Sequence, residues 1–474
     1  MTYTKTNWSD GDAITAAKLN NMELQYDNAK TDFGAVNVTV TVAVQGSSIH
    51  AVGADYLVPV GSTTAQTIIN TAIAAAVAAG GGEVLLLEGT YVCSDVINLS
   101  SNITLSGMGA NTIIKFTDSL SVSKNLIQNT TQTVPGNKNM IIKDLTLDGN
   151  RTKQSAGTMV GIGMQNCTDT TGRNIIRNVF IKNFRSYGIW FGTMKNIIVD
   201  KVVISGCDNG LYGGSSTLQV SNSTFTTGVV GILLYGGSDS VVSSCDCFSN
   251  TQTGVALTNS CLRTAITGCT LYNNTQNGLY ISGSSYTTIS GNTFRNNGTA
   301  GCNVVSSSLY TNIVGNSAYK NNQGIIVTSS SHYCAIACNT VSYSSGYGIL
   351  ASAAGLDISS NAVYMSGGPG IYLNGSTHCI VAGNNVYASS QNSNGTYANI
   401  TLASNSHYNS VTGNLCYKGG GPAYPNYGIW IGAGCTANLV TANNLKNGGN
   451  SAAIQDSGTS TDKTSWIAAG NKVA

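Results

Sequence analysis

Four charged residues, Asp148, Lys182, Arg185 and Asp208, stand beside recurring Asn and Gly landmarks of the chain. Two carboxyls with two cations alongside suit the cleavage of a sugar polymer. In inverting glycoside hydrolysis one carboxylic acid protonates the leaving oxygen while a second, about 6.5–9.5 Å away, activates water. Lys182 and Arg185 would neutralise a uronic acid or phosphate on the substrate. In a lyase, either would instead abstract the proton next to a substrate carboxylate. The same letters have a plainer meaning, because Asp148-Gly149-Asn150 and Asp208-Asn209-Gly210 are also turn sequences. Asp246 and Asp239 are further acidic candidates, while Asp144 and Asp200 read as turn formers. The three Glu, at 23, 83 and 88, all precede this region, so a catalytic acid here must be Asp.

What positions these residues is a repeat. From Asn139 onward a unit of about 23 residues recurs in thirteen alignable copies. One column holds Ile142, Ile176, Val199, Val220, Val242, Ile266, Ile289, Ile313, Ile336, Ile358, Val381, Val411 and Val440, β-branched in every copy. Three positions on, the column becomes Asn292, Asn316, Asn339, Asn361, Asn384, Asn414 and Asn443; two further on it is apolar again. Alternation at period two marks short half-buried strands, and a fixed short period without helices between them marks a solenoid. The expected fold is all-β, a single-stranded right-handed parallel β-helix. Matching letters become ladders about 4.8 Å apart, and thirteen coils give a rod of about 60 Å. The Asn column is expected at an inward bend, each amide bonding to its neighbours in adjacent coils. A recurring Gly, from Gly161 and Gly188 to Gly370 and Gly428, is assigned to turns that need positive φ.

Three residues beyond the Asn column runs an outward line that is ionic at Asp148 and Lys182 and later reads Tyr272, Arg295, Tyr319, Tyr364, Tyr387 and Tyr417. Flat amphipathic rings in register would bind sugar faces; stacking on one another for ladder stability is the alternative. On strand spacing Asp148 and Asp208 lie two coils apart, about 10 Å. Another outward line, two after each Gly, includes Trp190, Tyr212, Tyr280, Tyr372 and Trp430, apolar enough to suggest a subunit interface and a homotrimer. Ser389–Ala398 and Gly419–Tyr427 enlarge two turns.

Composition narrows the class of partner. Only 9% of the 474 residues are charged and the net charge is +2, so no global field recruits nucleic acid or an anionic membrane. Fourteen of the charged residues fall between Asn139 and Gly210 and seven between Leu211 and Leu445. No apolar run is long enough to span a membrane, and Met1–Asp10 lacks a secretory layout. The thirteen Cys lack paired metal spacing and read as buried free thiols, so no metal site is expected.

Three regions follow. Residues 1–34 carry a helix candidate over Thr15–Lys30; 35–138 hold connecting strands, a capping helix over Thr64–Ala79 and the first irregular coils; 139–474 form the rod, ending on a last repeat over Trp466–Asn471.

The segment from Asn7-Trp8-Ser9-Asp10-Gly11-Asp12 to Leu19-Asn20 and Glu23 resembles the virion-attachment segment of tail proteins from phages of Gram-positive bacteria. Gly80-Gly81-Gly82-Glu83-Val84 through Gly89-Thr90-Tyr91, with Leu145-Thr146-Leu147-Asp148-Gly149-Asn150, is similar to the first coils of pectate-lyase-like tailspikes. The resemblance implies a homotrimeric virion protein, made in the host cytoplasm. It would bind, and in many such proteins cleave, a bacterial surface polysaccharide or teichoic acid, and dock on the phage tail or baseplate through residues 1–34. Polygalacturonase signatures and a pectate-lyase calcium cluster are missing, so no cofactor is expected unless the reaction is a lyase's, where Ca2+ would enter. A binding protein without cleavage and a purely structural fibre are the alternatives.

Overall fold

The period-two alternation of each repeat closes into a coil of three short strands. In one coil of the computed structural model these are Val241–Ser243, Asp246–Phe248 and Thr253–Thr258. Each pairs in parallel with its counterpart in the next coil, Ala265–Thr267, Thr270–Tyr272 and Asn277–Ser282. The result is three parallel sheets wound around one core in a right-handed solenoid of about 16 turns. The structure describes residues 38–44, 54–59, 61–328, 330–420, 423–445 and 447–461. Segment 1–34 with its helix candidate and the Trp466–Asn471 repeat lie outside the described residues.

All thirteen β-branched residues of the first column are buried, from Ile142 to Val440. Each removes apolar surface worth about 1.5–3 kcal/mol from water, which is why a strand of only three residues suffices per coil. Between the first and second sheets the chain turns through one left-handed residue, with φ of 62° at Gly268, 65° at Gly291 and 68° at Gly315. That turn drops the next side chain inward, and there the Asn ladder forms. Asn316 Nδ2 donates to Asn339 Oδ1 at 3.0 Å and to the Ile289 carbonyl at 2.9 Å, and the Asn316 amide N–H donates to Asn339 Oδ1 at 2.9 Å. The pattern runs from Asn292 to Asn443. A second ladder, Asn250–Asn274–Asn297–Asn321, lines the corner between the second and third sheets in the same way.

The recurring Gly has a different cause from the one its sequence context suggested. Of the residues from Gly161 to Gly428 in that column, none has a positive φ. Instead each lies against the backbone of the next coil: a Cβ at Gly278 would fall 2.7 Å from the Gly301 carbonyl oxygen, and one at Gly324 2.3 Å from that of Gly348. The third sheet enters its ladder where no side chain fits.

The first coil is closed by helix α1, Ala65–Ala78, which buries Ile69, Ala72, Ile73 and Ala76. On the same helix Val77 is exposed and Ile68 only partly covered, so its buried face is narrow. The first coils follow as Gly82–Leu86 on Ile103–Ser106 and Gly89–Cys93 on Thr112–Phe116. All thirteen Cys are unbridged and twelve are buried; Cys338, at a left-handed bend position with φ 56°, is exposed. Burial pushes the Cys167 and Cys379 thiols up to about 11.

Candidate functional site

Ladder register fixes the outward line of the second sheet without a break. Asp148 pairs with Lys182, Lys182 with Ser205, and the line continues through Thr226, Phe248, Tyr272, Arg295, Tyr319, Ser342, Tyr364, Tyr387 and Tyr417. Lys115 precedes Asp148 on the same line. The line ends at Tyr417 among the described residues.

The four charged residues expected to converge form two separate pairs and a backbone clasp. Lys182 Nζ lies 3.7 Å from Asp148 Oδ2. Asp148 Oδ1 also accepts from the Asn150 amide at 2.8 Å, the Asx geometry of a turn. Asp208 pairs not with Lys182 or Arg185 but with Arg151, whose Nη2 sits 2.7 Å from its Oδ1. Arg151 also donates to the carbonyls of Phe184 and Gly206, at 3.1 and 3.4 Å. Arg185 donates from Nη1 to the Gln154 carbonyl at 2.9 Å, and its buried Nε has no partner among the described residues. Cys207 beneath the cluster is fully buried; burial pushes its thiol up to about 12, with Arg151, Asp208 and Asp148 adding charge effects of both signs.

Asp246 lies apart from these pairs. It opens the strand Asp246–Phe248, is exposed, and pairs in the ladder with Thr224 and Thr270. Asp239 forms a two-pronged ion pair with Arg263, at 2.6 and 2.9 Å. Asp144 and Asp200 serve bends: Asp144 accepts from Asn178, Asp200 from Ser221 and Asn222. Two carboxylates engaged by cations can hold a substrate's hydroxyls and charges. For either to protonate a leaving oxygen, its ion pair must first open.

Along the aromatic part of the line, the rings cover one another. Phe248 stacks on Tyr272 at 4.7 Å and Arg295 lies 4.9 Å over the same ring, so both faces of Tyr272 are taken. Tyr387 stacks on Tyr417 at 5.6 Å and meets Tyr364 edge-on at 6.3 Å. Tyr319 is approached by Tyr343 edge-on at 5.7 Å and by Lys320 at 5.2 Å. A ligand therefore meets ring edges and hydroxyls here. The two enlarged turns join beside this end of the line, where the Tyr424 amide donates to Asn394 Oδ1 at 2.9 Å and Gly395 to the Tyr424 carbonyl at 2.8 Å. A Cβ at Gly419 would come 3.0 Å from Tyr387 Cζ, so glycine lets the second turn close on that ring.

A second aromatic ridge escaped the sequence reading. Tyr286, Tyr310, Tyr333, His378 and Tyr408 all adopt φ between 54° and 59° at one corner of their coils, with Gly355 at that corner between Tyr333 and His378. Tyr286–Tyr310 and Tyr310–Tyr333 stack at 5.0 and 5.4 Å, and His378–Tyr408 at 5.3 Å. The signal was available: each lies three residues before its copy's β-branched landmark. On the third sheet, Trp190 and Tyr212 begin an unbroken outward ladder that reaches Trp430.

Comparison with known proteins agrees with this architecture. Residues 160–318 match the family described as right handed beta helix region. The chain is a right-handed parallel β-helix. Residues 304–472 match a second family, described as periplasmic copper-binding protein (NosD). The Cys in that stretch are unbridged, and among the described residues no three His, Cys, Asp or Glu gather. The pre-neck appendage protein of Bacillus phage phi29 is 35% identical over 107 residues, 22% of this chain and 12% of that protein. The chain thus aligns with only about an eighth of the curated relatives it matches. Among solved structures, the A-module of Azotobacter vinelandii mannuronan C-5 epimerase AlgE4 is 18% identical, with a TM-score of 0.39 over 84% of this chain and 94% of that one. The Dettilon tailspike protein is 16% identical, with a TM-score of 0.39 over 82% and 64%.

Proposed function

We propose that this β-helix is a phage tail appendage that binds a bacterial surface polysaccharide along its outer wall. The observation that carries the reading is the second-sheet line, in which Asp148, Lys182, Arg295 and the tyrosines to Tyr417 fall in unbroken register. An ionic start and a run of polar ring edges, on rungs about 4.8 Å apart, suit a long chain of hydroxylated units. The partial likeness to a phage pre-neck appendage supports a place on the virion. In this reading residues 1–34 dock on the tail or baseplate, and the middle of the third-sheet ladder, from Leu233 to Tyr372, meets sister copies in a trimer. Co-sedimentation of the full chain with purified host polysaccharide tests it; saturable binding is expected, and its absence would remove the reading.

A second reading, depolymerisation, is favoured by one observation: both carboxylates of the ionic end, Asp148 and Asp208, stand with cations in the first coils. New reducing ends, or ultraviolet absorbance from unsaturated products, would reveal hydrolysis or elimination. Binding without either product leaves a receptor-binding protein.

A further inference from the structure

We propose that a cleft on the third sheet of the first coils, between Gln128 and Trp190, is a subsite for a charge-neutral sugar ring. The inference rests on the glycan-binding reading and names a place for it away from the second-sheet line.

The cleft arises from a missing rung. In the outward ladder Asn98, Gln128, Gly163, Trp190 and Tyr212 are successive neighbours. Gly163 contributes no side chain, so Gln128 and Trp190 stand two coils apart, about 10 Å, with nothing of their own line between them. On the adjoining line Asn125, Val160 and Tyr187 are successive. One wall is therefore amide, the other aromatic. The cleft measures about 420 Å³, within the roughly 300–1,000 Å³ of small-ligand sites. It continues past Val96 and Gln128 into a hollow of about 580 Å³ beside α1.

The amide wall is pre-ordered. Asn125 Nδ2 donates to Gln128 Oε1 at 3.2 Å, and Gln128 Nε2 to Asn98 Oδ1 at 3.0 Å. Among the described residues, Asn125 Oδ1 and the remaining side-chain N–H groups of Asn125 and Gln128 have no partner. Hydroxyls, which both give and take hydrogen bonds, satisfy such a set, while the C–H face of a pyranose suits Trp190. The charges at the rim cancel, since Lys124 Nζ pairs with Asp95 at 2.8 Å. That argues for a neutral sugar over a phosphate-bearing unit. Gly163 is needed twice over, because a Cβ there would fall 2.5 Å from Asn125 Cγ and displace the amide.

The test titrates the full chain with two probes, phosphate-free wall polysaccharide from a Bacillus host and sugar-free polyglycerol phosphate. Wild type should bind the first, and Trp190→Ala should bind it about tenfold more weakly. Gly163→Ala should weaken it several-fold with the Trp intact. Trp430→Ala, the same residue type at the far end of the ladder, should bind as wild type. Equal affinity of Trp190→Ala and wild type overturns the subsite while leaving glycan binding in place. So does an unchanged affinity accompanied by a lower oligomeric state, which would make the cleft a contact between copies. Wild-type binding to polyglycerol phosphate alone also overturns it, and binding to neither probe overturns the broader reading as well. Thermal melting of each variant identifies any that has lost its fold.

Discussion

Arg151, in the short turn after the strand Ile141–Asp148, places its Nη2 2.7 Å from Asp208 Oδ1 in a later coil. Both side chains are about two-fifths exposed, at 42% and 39%. An exposed pair is worth roughly 0.2–1 kcal/mol, so it organises the surface more than it holds the rod. Asp208→Asn and Arg151→Ala should each shift the melting midpoint only slightly. Any loss of glycan affinity should be the same in both single variants and in the double one. Additive losses in that cycle would show that the two act separately.

The Asn ladder is where stability concentrates. Asn339 accepts from the Asn316 side chain and backbone and donates to the Ile313 carbonyl and Asn361. Asn339→Leu would leave those buried groups unpaired at about 1–3 kcal/mol each. Denaturant unfolding should show a loss of about 3 kcal/mol or more, with ligand affinity per folded molecule unchanged.

Gly278→Ala should also destabilise the rod, by about 1–3 kcal/mol, because the added methyl meets the Gly301 carbonyl oxygen at 2.7 Å. Gly291→Ala strains the backbone instead, since Gly291 has φ 65°. Crystal structures of the two variants would separate the causes: a widened coil spacing in the first, an altered bend in the second.

Cys338 should be the one thiol among the described residues that reacts with a bulky alkylating reagent in the native state. The other twelve are buried, and burial raises thiols such as Cys167 and Cys379 to about 11. Mass spectrometry should find a single adduct that Cys338→Ser abolishes. Cys338→Gly should raise stability by up to about 1 kcal/mol, because glycine adopts the left-handed bend without the Cβ penalty.

Hydrogen bonds from Asn222 and Ser221 hold the Asp200 carboxyl below the usual range. Its stabilising contribution is therefore complete above about pH 4, the unfolded value, and is lost as pH falls through the lower folded value. Melting curves from pH 5 to pH 2 should fall less steeply for Asp200→Asn than for wild type.

The coil order was legible because burial alternates strictly. Ile313 and Ile336 must face inward, so register propagates to every outward residue, Asp148–Lys182 and Tyr387–Tyr417 included. Contacts off the ladder were not legible. Arg151 reaches Asp208 from a turn whose path no repeat dictates, and Asn250 and Asn274 form their ladder at a corner that alternation alone does not locate. The third-sheet glycines were visible but misassigned, since a letter shows that a side chain is missing and not whether space or φ excludes it. Covered faces such as those of Tyr272 depend on rotamers, which spacing leaves open.

Because backbone bonds and the Asn ladders both run from coil to coil, a pull along the axis loads them one after another. The coils would peel away singly at low tension. A sideways shear instead loads a whole ring of bonds at once, so the rod resists being bent or sheared more strongly than being unspooled. For a rod held at one end and loaded from the side, that is the useful direction of stiffness.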